Sequence, residues 1–277
     1  MAGLFGLFDY SKEGPGIDKN APKKKGFVVF FETFFRNFWK FIPINLMFSL
    51  IGLPVLTNGL SYIGFTNVAR NTARDKHSFG LSDFFDTIKK NWKQGLTLGI
   101  INVIVMAFIA FDIWFFSFQD GILSAIGIGI SLAVLIIFSF MKYYVWTLCI
   151  TFGFTISRIM KNSFKFAFIN LWKNLLVCAV LLVCYAIGAI ILWYLPLDVA
   201  LIIVLLLGVC IFPGFKCLLV QFCVFDSIVK YIIAPYYEQH PDDDIELRRS
   251  LGLPIPNEFN YFDSEFDDAL TNEETIK

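Results

Sequence analysis

The chain has 277 residues, of which 57% are hydrophobic and only 17% charged. Soluble domains carry about 25% charged residues, so this composition lies outside theirs and the membrane class is the first reading. The formal net charge is zero, yet from Glu238 onward twelve acids face three basic residues, a net −9 that leaves +9 on the rest of the chain, and no nucleic-acid partner is expected.

The N-terminal segment, 1–26, ends in Lys23, Lys24 and Lys25. It is not a signal peptide, because Asp9, Lys12 and Glu13 precede any apolar run long enough for an h-region. A Phe-rich stretch follows, in which Phe31, Phe34, Phe35, Phe38 and Phe41 recur at helical spacing while Glu32, Arg36 and Lys40 fill the other face. Next comes an apolar region over 41–67. One crossing there would place basic residues on both sides of the membrane: Lys23 to Lys40 before it, Arg70 to Lys93 after it. The turn residues Pro54, Asn58 and Gly59 resolve the conflict. The region divides into a helix of about 27–53, kinked at Pro43, and a short return helix of about 58–75.

The runs at 96–118, 122–141, 175–195 and 199–215 each approach the ~20 apolar residues that cross a bilayer. Only helices fit runs of that length with no more than one charge, Asp112 in the first. The turns at 119–121 and 195–198 carry Asp120 and Asp198, whereas the loop at 157–173 carries Arg158, Lys161, Lys165 and Lys173. Basic loops inside and acidic turns outside predict six helices in three hairpins, about 27–75, 81–158 and 161–235. The transmembrane helical domain then spans 27–235, both termini are cytoplasmic, and 236–277 forms an acidic tail. Residue 57 falls in an outward turn.

A short repeat supports the three hairpins. The triples Phe31/Phe35/Trp39, Phe84/Ile88/Trp92 and Phe164/Phe168/Trp172 are followed by Lys40, Lys93 and Lys173. Each copy leads into an apolar helix. Trp beside Lys marks the membrane interface, an aromatic belt residue next to a snorkelling cation. These aromatic segments either lie on the membrane or extend the spanning helices; the lack of a helix breaker over 84–118 favours long helices reaching into the cytoplasm.

The leading "LFDYSKEGPGIDKNAPKKK", the "FFRNFWKF" entry, the Gly-Leu-Pro turn and "FGLSDFFDTIKKNWKQG" resemble the YesL-like family of small bacterial integral membrane proteins. The resemblance covers roughly the first hundred residues; beyond them only the hydropathy pattern matches. It implies a polytopic protein of the bacterial cytoplasmic membrane, often encoded beside carbohydrate uptake transporters. It implies no catalytic motif, because the family has no assigned activity.

Candidate functional residues are few. The two histidines, His77 and His240, lie in polar loops, and the six cysteines lie in apolar runs without a CxxC pair, so neither metal nor disulfide is expected. No cofactor is expected either. Gly121, Ala125, Gly129 and Ala133 form a small-residue stripe at helical spacing, suited to close helix packing within the chain or in a dimer. Lys142 and Lys216 fall near the inner interface, where snorkelling suffices. Asn67, Arg70, Asn71 and Arg74 place one polar face on the return helix. That face suits either an anionic ligand in a cytoplasm-facing cavity or lipid phosphate. In the tail, Phe259, Phe262, Phe266 and Leu270 would line one helical face among acids, a candidate docking segment for a basic partner. Together these features lead to an expectation of an all-α membrane bundle working as a non-catalytic accessory or regulatory protein. Its partners would be the lipid bilayer and a membrane protein such as a transporter subunit. The alternative is a small-molecule membrane transporter using the polar face.

Overall fold

The structure is a computed structural model and describes residues 26–76 and 78–240. The expected N-terminal segment and acidic tail, including Phe259, Phe262, Phe266, Leu270 and also His77, lie outside the described residues. Every regular element among the described residues is helical. In chain order they are α1 (Gly26–Arg36), α2 (Phe38–Gly52), a 3-10 turn (Val55–Thr57), α3 (Asn58–Ala73), α4 (Leu81–Ser117), α5 (Ile122–Thr151) and α6 (Ile156–Ile169). There follow α7 (Leu171–Tyr194), α8 (Leu197–Cys210), α9 (Phe212–Ile228), a π-helical turn (Val229–Ile233) and α10 (Ala234–Gln239). Four stretches are long and apolar enough to cross a membrane: Leu81–Ser117, Ile122–Thr151, Leu171–Tyr194 and Phe212–Gln239. The chain is an all-α membrane bundle.

The core lies where α3 and α9 meet their neighbours. Half of the apolar window of the Phe212–Gln239 helix is buried, against 17% in α4 and α5 and 11% in α7; the last helix is central and the others turn most of their surface outward to lipid. Pairings fix the levels. Gln94 on α4 meets Cys149 on α5, and Phe116 meets Gly127, so these two helices run antiparallel over their whole length. Gln221 on α9 meets Thr147 on α5, and Tyr144 on α5 meets Asn174 on α7. Helix α8 supplies the outer part of the last crossing. Pro213 at the first turn of α9 follows the break at Ile211, a position where a missing N–H costs least.

The first hairpin is shallower than the sequence predicts. A Cβ placed on Gly59 would lie 2.1 Å from the Gly95 carbonyl oxygen and 2.7 Å from Gly99 Cα, so α3 crosses α4 backbone to backbone there. The tip at 53–57 therefore sits beside Gly99. Eighteen residues of α4 remain beyond it, roughly 27 Å of helix at about 1.5 Å per residue. The two limbs, α2 with 15 residues and α3 with 16, enter and return on one side. The tip stands level with the middle of α4 and not with its far end, where the sequence predicts residue 57. The charge conflict that prompted the split is still satisfied, because a re-entrant hairpin also leaves both flanks on one side.

The repeated segments share a break. Asn37 (φ −102°, ψ 11°) separates α1 from α2, Asn170 (φ −109°, ψ 36°) separates α6 from α7, and Asn91 (φ −119°, ψ 17°) interrupts α4. The kink expected at Pro43 thus falls at Asn37, while Pro43 sits inside α2. Asn37 Nδ2 donates to the Thr33 carbonyl at 2.9 Å and Asn91 Nδ2 to the Thr87 carbonyl at 3.2 Å. Such side-chain bonds to the preceding turn compete with the helix ladder. In α4 the consequence is visible in the pairing. Above Asn91 the contacts with α3 run antiparallel, Gly59 with Gly99 and Ile63 with Gly95. Below it Gly64 meets Phe84 and Asn67 meets Thr87, an order that reverses. The 81–90 segment is turned off the axis of the spanning part, so the 37-residue α4 reaches beyond the hydrocarbon layer without continuing straight.

Candidate functional site

The i, i+3, i+4 spacing on α3 does place its polar residues on one face, and the fold closes that face with its own groups. Arg70 Nη1 donates to Thr151 Oγ1 at 2.8 Å, and its Nη2 donates to Asn67 Oδ1 at 2.8 Å. Asn67 Nδ2 donates in turn to Thr87 Oγ1 at 2.8 Å. Both threonine hydroxyls pass their protons back one turn, Thr87 to the Asp83 carbonyl and Thr151 to the Thr147 carbonyl, each at 2.6 Å. The result is a hydrogen-bonded chain joining α3 to the foot of α4 and to the end of α5. Asn71 takes part through its backbone carbonyl, which accepts from the Arg74 and Lys76 amides at 3.2 and 2.9 Å and closes the end of α3.

Arg74 lies beside this network. Its guanidinium carbon stands 4.8 Å from the centroid of the Phe225 ring, a cation–π contact to α9. Among the described residues, neither Arg70 nor Arg74 has a carboxylate at ion-pairing distance; the ion pair at this end joins Arg36 to Asp75. Arg70 Nε, Arg74 Nη2 and Thr72 Oγ1 are buried without a partner. Burial, with Arg74 and then Arg70 nearby, holds the Lys76 ammonium below its usual pKa. At the end of α3, Arg70 is thus held by neutral oxygens and Arg74 by one aromatic face.

The interface residues divide. Trp39 and Trp172 are 80% and 83% exposed and Trp92 is 50% exposed, the outward orientation an aromatic belt needs. Their lysines do different things. Lys93 Nζ stays 5.7 Å over the Trp92 ring, Lys40 is half-buried, and Lys173 Nζ donates to Ser227 Oγ on α9 at 3.1 Å. The small-residue stripe is displaced from any packing role inside the chain. Gly121, Ala125, Gly129 and Ala133 are all exposed, and Gly121 is a turn residue with φ 77°, in the region that favours glycine. The intrachain contact uses Gly127 and Ser131 instead, where a Cβ on Gly127 would lie 2.3 Å from the Phe116 ring.

Two residues read as snorkelling cations occupy a different place. Lys142 on α5 lies level with residue 101 of α4, given the Gln94–Cys149 and Phe116–Gly127 pairings. That is eight residues past Lys93, about 12 Å along the helix. The Thr147–Gln221 pairing puts Lys216 at the same level. Both line one cavity between helices, so they face inward, not toward headgroups. The sequence offers no sign of this, because a lysine nine residues from a helix end suits either role.

Residues 41–113, which span α2, α3 and most of α4, match the model of a family described as a protein of unknown function, DUF624. Over those residues the chain is similar to an uncharacterised family, and the match contains the shallow hairpin and its glycine crossing. No curated protein and no solved structure matches the chain.

Proposed function

We propose that the chain is an integral membrane accessory or regulatory protein without catalytic activity, acting beside a transport system. The resemblance to the YesL-like family makes a carbohydrate uptake transporter the partner class to test first. One observation supports this reading above the others: the polar face of α3 is spent on Thr87, Thr151 and Phe225 of the same chain, not left open to a solute. A transporter working through Asn67, Arg70, Asn71 and Arg74 would need those groups free. Helix α6, with Arg158, Lys161 and Lys165, and the foot of α4, with Lys89, Lys90 and Lys93, lie toward one end of the bundle, while Asp112, Asp120 and Asp198 lie toward the other. By the positive-inside rule we place the basic end, and with it both chain ends, on the cytoplasmic side of a bacterial cytoplasmic membrane.

The test is purification of the tagged chain from its own membranes in mild detergent. A stoichiometric membrane partner, lost when residues 257–270 are deleted, is the expected result. Protein that comes out alone, and that carries solute across liposomes when reconstituted, would overturn the accessory reading in favour of the transporter.

A further inference from the structure

Helices α3, α5, α7 and α9 line a partly open cavity of about 230 Å³. Two of its lining side chains are the cations Lys142 and Lys216, and no carboxylate lines it. Lys216 Nζ donates to Tyr62 OH at 3.3 Å and stands 5.6 Å from the centroid of that ring. The Tyr62 ring lies flat on Trp146, with centroids 5.1 Å apart and planes 7° apart. Lys142 reaches the cavity one turn from Trp146. Gln221 closes the polar side. Its amide nitrogen donates to Thr147 Oγ1 at 2.9 Å, while its Oε1 is buried without a partner.

Two like charges in one mostly apolar cavity are unfavourable without a counter-charge, and in a membrane such a residue is by default a candidate functional site. Neither lysine is held by an acid of this chain among the described residues. We propose that this cavity binds a small organic anion, one carboxylate or phosphate group with an apolar body. The oxyanion sits between Lys142 and Lys216 and the apolar part lies against Leu181, Leu182 and the Trp146 face. The size fits: the volume exceeds the ~150 Å³ that takes a benzene ring and falls below the ~300 Å³ typical of drug-sized ligands. The unpartnered Gln221 Oε1 adds an acceptor for a hydroxyl or amine on the same molecule. The proposal holds whether or not the chain assists a transporter.

The experiment uses the full chain in nanodiscs of phosphatidylcholine, with hexanoate and hexyl phosphate as probes, read by calorimetric titration. Binding is expected for at least one probe, weakened at least tenfold in Lys142→Met and in Lys216→Met and unchanged in Lys230→Met. Where a variant does not fold, the wild-type chain gives the second reading. Cys178 lines the cavity and Cys184 does not. Site-resolved modification by a small thiol reagent is expected to slow at Cys178 when probe is present and to stay constant at Cys184. A lipid source would show as Cys178 protection by nanodiscs containing phosphatidylglycerol. A soluble source would show as protection by hexyl phosphate alone. Binding that survives both lysine substitutions, or Cys178 modification that ignores every probe, would overturn the proposal.

Discussion

Arg70 illustrates how a residue can be visible in the sequence and its purpose hidden. Its spacing from Asn67 is legible as i, i+3, and the two do meet at 2.8 Å. What the sequence does not reveal is Thr151, its second partner, 81 positions away. With no acid at ion-pairing distance among the described residues, the guanidinium is stabilised by two neutral acceptors and is left with a buried, unpartnered Nε. Arg70→Ala removes both bonds and strands Asn67 Oδ1. A loss of about 2 kcal/mol is expected from bonds to a charged group. Thr151→Val removes one acceptor and is expected to cost about 1 kcal/mol. Equilibrium unfolding of the two variants in mixed micelles by dodecyl sulfate titration checks both values. Equal stability of Arg70→Ala and wild type would mean that the bonds contribute nothing and that the face is free for a ligand after all.

Among the elements, the α3–α4 crossing sets the shape of the first hairpin. A Cβ on Gly99 would lie 2.9 Å from Gly59 N and 3.0 Å from Gly59 Cα, and backbone on a packed helix has nowhere to shift. Gly99→Leu is therefore expected to cost about 3 kcal/mol by overpacking, while Gly129→Leu, which meets nothing within 4 Å, is expected to be silent. Thermal unfolding of the two variants side by side tests the pair; a destabilised Gly129→Leu with an intact Gly99→Leu would refute the assignment. Gly95 and Gly99 have the same i, i+4 spacing as the Gly121, Ala125, Gly129 and Ala133 stripe. Spacing identifies where a helix can approach, and only the fold decides whether one does, which is why Gly121, Ala125, Gly129 and Ala133 were the more conspicuous set and Gly95 with Gly99 the used one. The asparagine breaks are a similar case. Asn37, Asn91 and Asn170 stand one or two residues before Trp39, Trp92 and Trp172 in every copy of the repeat, so the signal was present. The Phe and Trp pattern outweighs it; Asn37 and Asn91 are legible as breaks only once their bonds to the preceding turn are seen, and Asn170 Nδ2 is buried without such a bond.

Among the described residues, four stretches long and apolar enough to cross a membrane accompany one shallow hairpin, and this arrangement has a consequence for sidedness that six crossings share only in part. The number of hairpins and the end at which the basic residues collect follow from hydropathy and charge, which act over many residues. Depth does not, because α2 is apolar while the reach of the hairpin is set by where α4 meets Gly59. In either arrangement Asp120 lies at the end of the bundle opposite Gln239. Only in the shallow arrangement is the 53–57 tip enclosed beside Gly99 at mid-height of α4. A set of single cysteines at Thr57, Asp120 and Gln239, in a chain whose six native cysteines are replaced, separates the two. An impermeant maleimide added to intact cells is expected to label position 120 alone. Added to inverted vesicles, it is expected to label position 239 and not 120. Position 57 is expected to resist the reagent from the outer face and to react with a membrane-permeant thiol reagent. Rapid labelling of position 57 on intact cells, at a rate like that of position 120, would restore a first hairpin that crosses fully. It would also require α4 to slide against α3 by roughly 27 Å, which the glycine crossing forbids.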